Sequence, residues 1–171
     1  QEGMWWGAAD VSGLLHEMVG SDRRPLGWHC AQVALKQSRP EQARKILEAQ
    51  FVATPGIDAV YESYLALIGQ KARPLLATLA ASDRYEERPL IWLARLQLDA
   101  QELDQAVASL ENAITIDPSD GEEGRGDRMR VYALMARAMA LRGDQTKANF
   151  FEGVVKAIRL SETADRWFDA G

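Results

Sequence analysis

The sequence predicts an all-α chain built from repeated helical hairpins, and three observations carry the prediction. Apolar residues recur at three- and four-residue steps along nearly the whole length, the spacing that lines one face of a helix. Alternation of apolar and polar residues bounded by hairpin turns, the mark of a strand, is nearly absent. Alanines also stand 12 residues apart in three places, at Ala31 and Ala43, Ala94 and Ala106, and Ala136 and Ala148. Two helices crossing in a hairpin come closest where each offers only a methyl, so each pair marks a crossing. Proline twice follows at the same distance, Pro55 after Ala43 and Pro118 after Ala106.

Taken in order, residues 1–23 begin with Met4, Trp5 and Trp6 and then carry Val11, Leu14, Leu15 and Met18 at helical spacing up to Gly20. The expectation is a helix that covers the first hairpin, because an end repeat otherwise exposes its apolar face. The Trp pair is expected to pack against the next helix, with a partner-binding patch as the other reading. In 24–57, Pro25 suits a helix start, and Trp28, Ala31, Ala34 and Leu35 follow at helical spacing. Ser38 and Glu41 have the spacing of a capping box. Ala43, Ile46, Leu47 and Phe51 continue to a stop at Thr54-Pro55-Gly56.

Residues 58–86 should hold another hairpin: Tyr61, Tyr64, Leu65 and Ile68 lead to Gly69, then come Ala72, Leu75, Leu76 and Leu79. This one lacks the alanine pair and reads as a degenerate repeat. Residues 87–120 give the clearest unit. Leu90, Leu93, Ala94 and Leu98 share one face, and Leu103, Ala106, Val107, Leu110, Ala113, Ile114 and Ile116 share another. Asp117-Pro118 ends it, since proline disfavours helical geometry in the residue before it. In 121–160 a charged, Gly-rich insertion precedes a last pair, from about Met129 to Leu141 and from Gln145 onward, around Arg142-Gly143-Asp144. Residues 161–171, with Ala164, Trp167 and Phe168, read as the start of a further helix or repeat. The chain is therefore expected to be a piece of a longer repeat protein.

Composition removes several function classes. With 171 residues, 47% hydrophobic and 26% charged, the chain can bury a substantial core as one domain. A net charge of −5 gives no basic field to gather nucleic acid or an anionic membrane, so no nucleic acid is expected. No apolar run spans a bilayer, and mean hydropathy is −0.27. The single cysteine, Cys30, excludes an internal disulfide framework and a multi-cysteine zinc site. Cytoplasm is only a default, because a chain starting at Gln1 says nothing about a targeting segment.

His29 beside Cys30 does not make a metal or nucleophile site, since adjacent helical residues point about 100° apart. His16 lies on a different expected helix. Cys30 is expected to be buried, and His29 to be groove-lining or structural. Asp117, Asp120, Glu122 and Glu123 do not have the spacing of a calcium loop. Gly121, Gly124 and Gly126 follow no strand, so they are not a phosphate cradle. No triad or acid–base pair is visible. No catalytic residue, cofactor or metal ligand is assigned, and the chain is not expected to be an enzyme.

The pattern resembles the tetratricopeptide repeat (TPR), a helix-turn-helix unit of about 34 residues. The resemblance rests on the three alanine pairs, on Gly143-Asp144 before Lys147-Ala148, on Leu47, Leu110 and Ala113, and on Pro55 and Pro118. It covers roughly residues 24–160. The aromatic usual late in the family's first helix is replaced by Ala34, Gln97 and Met139.

The resemblance implies a right-handed α-solenoid (an α-α superhelix) acting as a protein-protein interaction scaffold, with a concave groove lined by the first helix of each hairpin. Carried onto this sequence, the groove presents Trp28, His29, Gln32 and Lys36, then Arg88, Ile91, Trp92, Arg95 and Asp99, then Arg130, Ala133, Leu134, Arg137 and Leu141. The lysines and asparagines with which some members clamp a peptide's terminal carboxylate are not found. Arg95 and Arg137 each follow a crossing alanine and should occupy equivalent positions. A row of Arg88, Arg95, Arg130 and Arg137 flanked by Trp92 would suit an acidic peptide partner. The competing reading is a solvated charged face, with Asp99, Glu86 or Glu87 as local partners. Other expectations are an accessory region of a larger enzyme or membrane-associated protein, and a homodimer through a terminal helix.

Overall fold

A computed structural model describes residues 24–116 and 125–168, all helix, turn or short connection. The covering helix expected in 1–23, residues 117–124 with the start of the Gly-rich insertion, and the last three residues lie outside the described residues. Where the composition suggests one domain, the chain divides into two compact units after Ile68. The division falls inside 58–86, the stretch without an alanine pair.

The first unit contains α1 (Leu26–Lys36), α2 (Pro40–Ala53) and α3 (Asp58–Ile68). Pro40 opens α2 in the first turn, where its missing N–H costs nothing. Ala31 and Ala43 are both completely buried at the α1–α2 crossing. The core grows outward from them through Leu47, Phe51, Val60, Tyr61 and Tyr64. Phe51 meets the Tyr64 ring edge-on, with centroids 5.3 Å apart, and the Tyr61 ring at 4.7 Å. These are favoured aromatic separations.

The second unit begins with a 3-10 turn, Gly69–Ala72, and continues as α4 (Arg73–Ser82), α5 (Arg88–Asp99) and α6 (Leu103–Ile116). It closes with α7 (Arg125–Leu141) and α8 (Gln145–Phe168). Residues 161–168 continue α8 without interruption. Ala94 and Ala106 are fully buried where α5 crosses α6, and Ala136 and Ala148 nearly so where α7 crosses α8. One continuous core joins Ile91, Ala94, Leu98, Ala106 and Leu110 to Val131, Met135, Ala138, Met139 and Ala148. α7 therefore seats on the α5–α6 hairpin by burying its own apolar face.

Three hairpin turns repeat one geometry. After α1, α5 and α7 the chain passes through a left-handed residue: Ser38 (φ 57°), Gln101 (φ 61°) and Gly143 (φ 81°). The N–H groups of Ser38, Gln101 and Gly143 donate to Leu35, Leu98 and Ala140 carbonyls, and those of Arg39, Glu102 and Asp144 to Ala34, Gln97 and Met139. That double bond pattern satisfies the last carbonyls of a helix. Ser38 is therefore a helix terminator and not half of a capping box: no side chain caps α2. At the third turn Asp144 accepts the Lys147 backbone N–H at 3.1 Å, which holds its carboxyl below the usual range. At the second, Arg73 holds Glu102 in a two-pronged ion pair, again favouring the carboxylate.

Candidate functional site

The expected groove residues fall into both units. In the first, Trp28 is half-buried and its indole N–H lies 3.0 Å from the Ala59 carbonyl and 2.8 Å from the Ser63 hydroxyl. Gln32 donates to the same hydroxyl at 3.1 Å. His29 stands edge-on to Trp28 with ring centres 5.0 Å apart, and the Arg24 guanidinium lies 4.2 Å from the Trp28 ring centre. Trp28 and Gln32 therefore tie α1 to α3, while Lys36 is exposed. Cys30, expected inside, is exposed. It precedes buried Ala31 by one residue, and a 100° step takes it off the buried face.

In the second unit the structure brings Trp92, Arg95, Asp99 and Arg137 together. Trp92 is 5% exposed, a core residue where the sequence suggests a groove wall. Its ring instead backs the exposed Arg95, whose guanidinium carbon lies 5.2 Å from the ring centre, within cation–π range. Arg137 donates to Asp99 at 2.9 Å, linking α7 to α5. Their side chains are 48% and 44% exposed, a setting in which an ion pair contributes little. Arg88 is differently placed: its guanidinium and backbone N–H both meet Glu86, at 2.9 and 3.2 Å, on a mostly buried side chain. Arg130 and Leu134 are half-buried, and Leu134 packs on the core.

Beside Arg137 lies a cleft of about 340 Å³ between α7 and α8. Its floor is Ala133, Ala136 and Ala140 on α7 with Val155 on α8, and Arg137, Glu152 and Lys156 form its rim. Sequence reasoning names Ala133 and Arg137 as groove residues but passes over the cleft they share with Ala140, Glu152, Val155 and Lys156, because alanine reads as a plain helix former and an isolated Glu or Lys as surface. A residue-by-residue comparison of the two hairpins is the signal that exposes it. Among the described residues no group of three or more His, Cys, Asp or Glu comes together, and no helix is long and apolar enough to cross a membrane.

The architecture defines an all-α helical-repeat protein of tetratricopeptide-like hairpins. Among solved structures it is similar to MamA MSR-1 C2, with a TM-score of 0.55 at 16% identity over 90% of this chain and 88% of that one. A second, a MamA point mutant, aligns with a TM-score of 0.49 at 14% identity over 88% and 87%. No family model matches the sequence, and no curated protein matches it. The likeness is one of fold.

Proposed function

We propose that this chain is a non-catalytic interaction scaffold that binds an acidic peptide or helical segment of a protein partner across the arginine face of its second unit. The observation that carries the reading is the matched placement of Arg95 and Arg137, both exposed and each one residue beyond a buried crossing alanine. The buried alanine crossings fix the spacing of the two backbone positions that carry these arginines. Trp92 limits the freedom of Arg95 from behind, and Asp99 orients Arg137 while remaining easy to displace. Carboxylates suit such groups because guanidinium offers paired donors in a planar fork. The tetratricopeptide-like fold supports a protein partner over a small-molecule one.

A peptide array of acidic, neutral and basic sequences tests the reading, probed with the wild-type chain and with an Arg95→Glu, Arg137→Glu double variant. Acidic spots should bind the wild type and lose at least tenfold in signal with the variant. Equal binding of both proteins would end the proposal.

A further inference from the structure

Asp99 shows what a single carboxylate does on the arginine face. It accepts from Arg137 at 2.9 Å, across the contact of α7 with α5, and it stands four residues after Arg95. Residues four apart on a helix are neighbours, with about 5–6 Å between their Cβ atoms. Yet the Arg95 guanidinium lies against the Trp92 ring and meets no acceptor among the described residues. The two oxygens of a carboxylate match a single guanidinium fork. The chain's own anion therefore serves one arginine of the pair and leaves the other open. An open chain end does not explain the exposure, because Arg95 remains exposed although α7 packs on its hairpin.

We infer that Arg95 and Arg137 together receive a phosphorylated side chain of the protein partner. The inference rests on the scaffold reading and names the anion. An incoming carboxylate that displaces Asp99 from Arg137 exchanges one carboxylate for another and gains little beyond its contact with Arg95. A phosphoryl group carries about −1.5 to −2 charge at neutral pH and three acceptor oxygens, enough to engage both forks at once. Guanidinium groups suit it because their paired donors match two of those oxygens at a time. Asp99 is half-exposed, so its pair with Arg137 is weak and its carboxylate can turn out to water. Toward the cleft, Glu152 and Lys156 cancel in charge. A chain of net charge −5 is repelled as a whole by an anionic lipid surface or a nucleic acid. The phosphate accordingly belongs to a peptide segment, which can approach this one face.

The probes are three biotinylated pools of 13-residue peptides, degenerate around a central phosphoserine, glutamate or serine, captured on a sensor and titrated with the full chain. The phosphoserine pool should bind at least tenfold tighter than the glutamate pool, with the serine pool weakest. Arg95→Lys and Arg137→Lys keep the charge but remove a fork, and each should weaken the phosphoserine pool at least threefold. Asp99→Asn removes the competing carboxylate and should tighten that pool about threefold. Equal binding of the phosphoserine and glutamate pools, both lost in the Arg95→Glu, Arg137→Glu double variant, would overturn the phosphoryl preference alone and leave the scaffold reading standing. Binding of neither pool above the serine pool would remove both. Weaker binding in Asp99→Asn would make that carboxylate part of the arrangement and overturn the proposal. So would full competition by inorganic phosphate at the peptide's own concentration, or retention on phosphatidic acid vesicles without binding of the phosphoserine pool.

Discussion

Exchanging residues between the second and third hairpin turns isolates what the left-handed position costs. Gln101 and Gly143 occupy the same place at φ 61° and 81°, with the same two carbonyls satisfied. A left-handed conformation costs a residue with a Cβ about 1–2 kcal/mol. Glycine gives back roughly 0.5–1 kcal/mol of that through its greater freedom in the unfolded chain. Gln101→Gly should therefore stabilise by about 0.5–1 kcal/mol, and Gly143→Gln should destabilise by about as much. A Cβ at Gly143 meets nothing within 4 Å, so its cost is conformational and not steric. For a chain of this length about 1 kcal/mol moves Tm by roughly 2–4 °C. Thermal and urea unfolding followed by circular dichroism should show opposite shifts for the single variants and near cancellation in the exchange variant. Destabilisation by Gln101→Gly, or a silent Gly143→Gln, would refute the shared-turn reasoning.

Other perturbations separate packing from electrostatics. Ala94→Leu forces extra carbons into a crossing with no exposed surface and should cost about 1–3 kcal/mol, whereas Ala108→Leu on an exposed face should stay within about 0.5 kcal/mol; urea denaturation compares them. Tyr64→Phe removes a 2.7 Å hydrogen bond from the phenol to Glu48 and should cost about 1–2 kcal/mol in the same assay. Burial first, and that bond second, push the Tyr64 phenol well above its ordinary value. Its share of stability is full at neutral pH and is lost only as pH rises past the usual tyrosine range of about 10, an absorbance titration at 295 nm reporting the late ionisation. Glu102 and Asp144 act oppositely. Each is held low, by Arg73 and by the Lys147 N–H respectively, so their stabilisation is present above about pH 4.5 and disappears as pH falls below about 4. Glu102→Gln and Asp144→Asn should each flatten that acid limb.

The helical hairpins are legible because side-chain size at a crossing is dictated by geometry: Ala31, Ala43, Ala94, Ala106, Ala136 and Ala148 are all buried. The turns are legible only at Gly143. Ser38 and Gln101 enter left-handed geometry without the residue that advertises it, and Ser38 mimics a cap. Trp92 is misplaced by sequence because a stripe of apolar positions shows that a helix has a buried side, not how far around the helix burial extends once two neighbours pack on it. Cys30 is misplaced by composition, since a small thiol is usually inside. The link from Arg137 to Asp99 joins residues 38 apart on different helices, which no local spacing encodes. The cleft is hidden for another reason: Ala133 and Ala140 stand 42 residues after Ile91 and Leu98, the offset that relates the two alanine pairs, and side-chain volume absent there leaves no mark in a helical pattern.

Partner recognition by the arginine face is tested most directly by mapping backbone amide shifts of the 15N-labelled chain during titration with an acidic peptide. Saturable shifts concentrated at Arg95, Asp99 and Arg137, with α1 to α3 unmoved, are the expected result. Shifts clustered elsewhere, or no saturable shift with the acidic peptide, would contradict it.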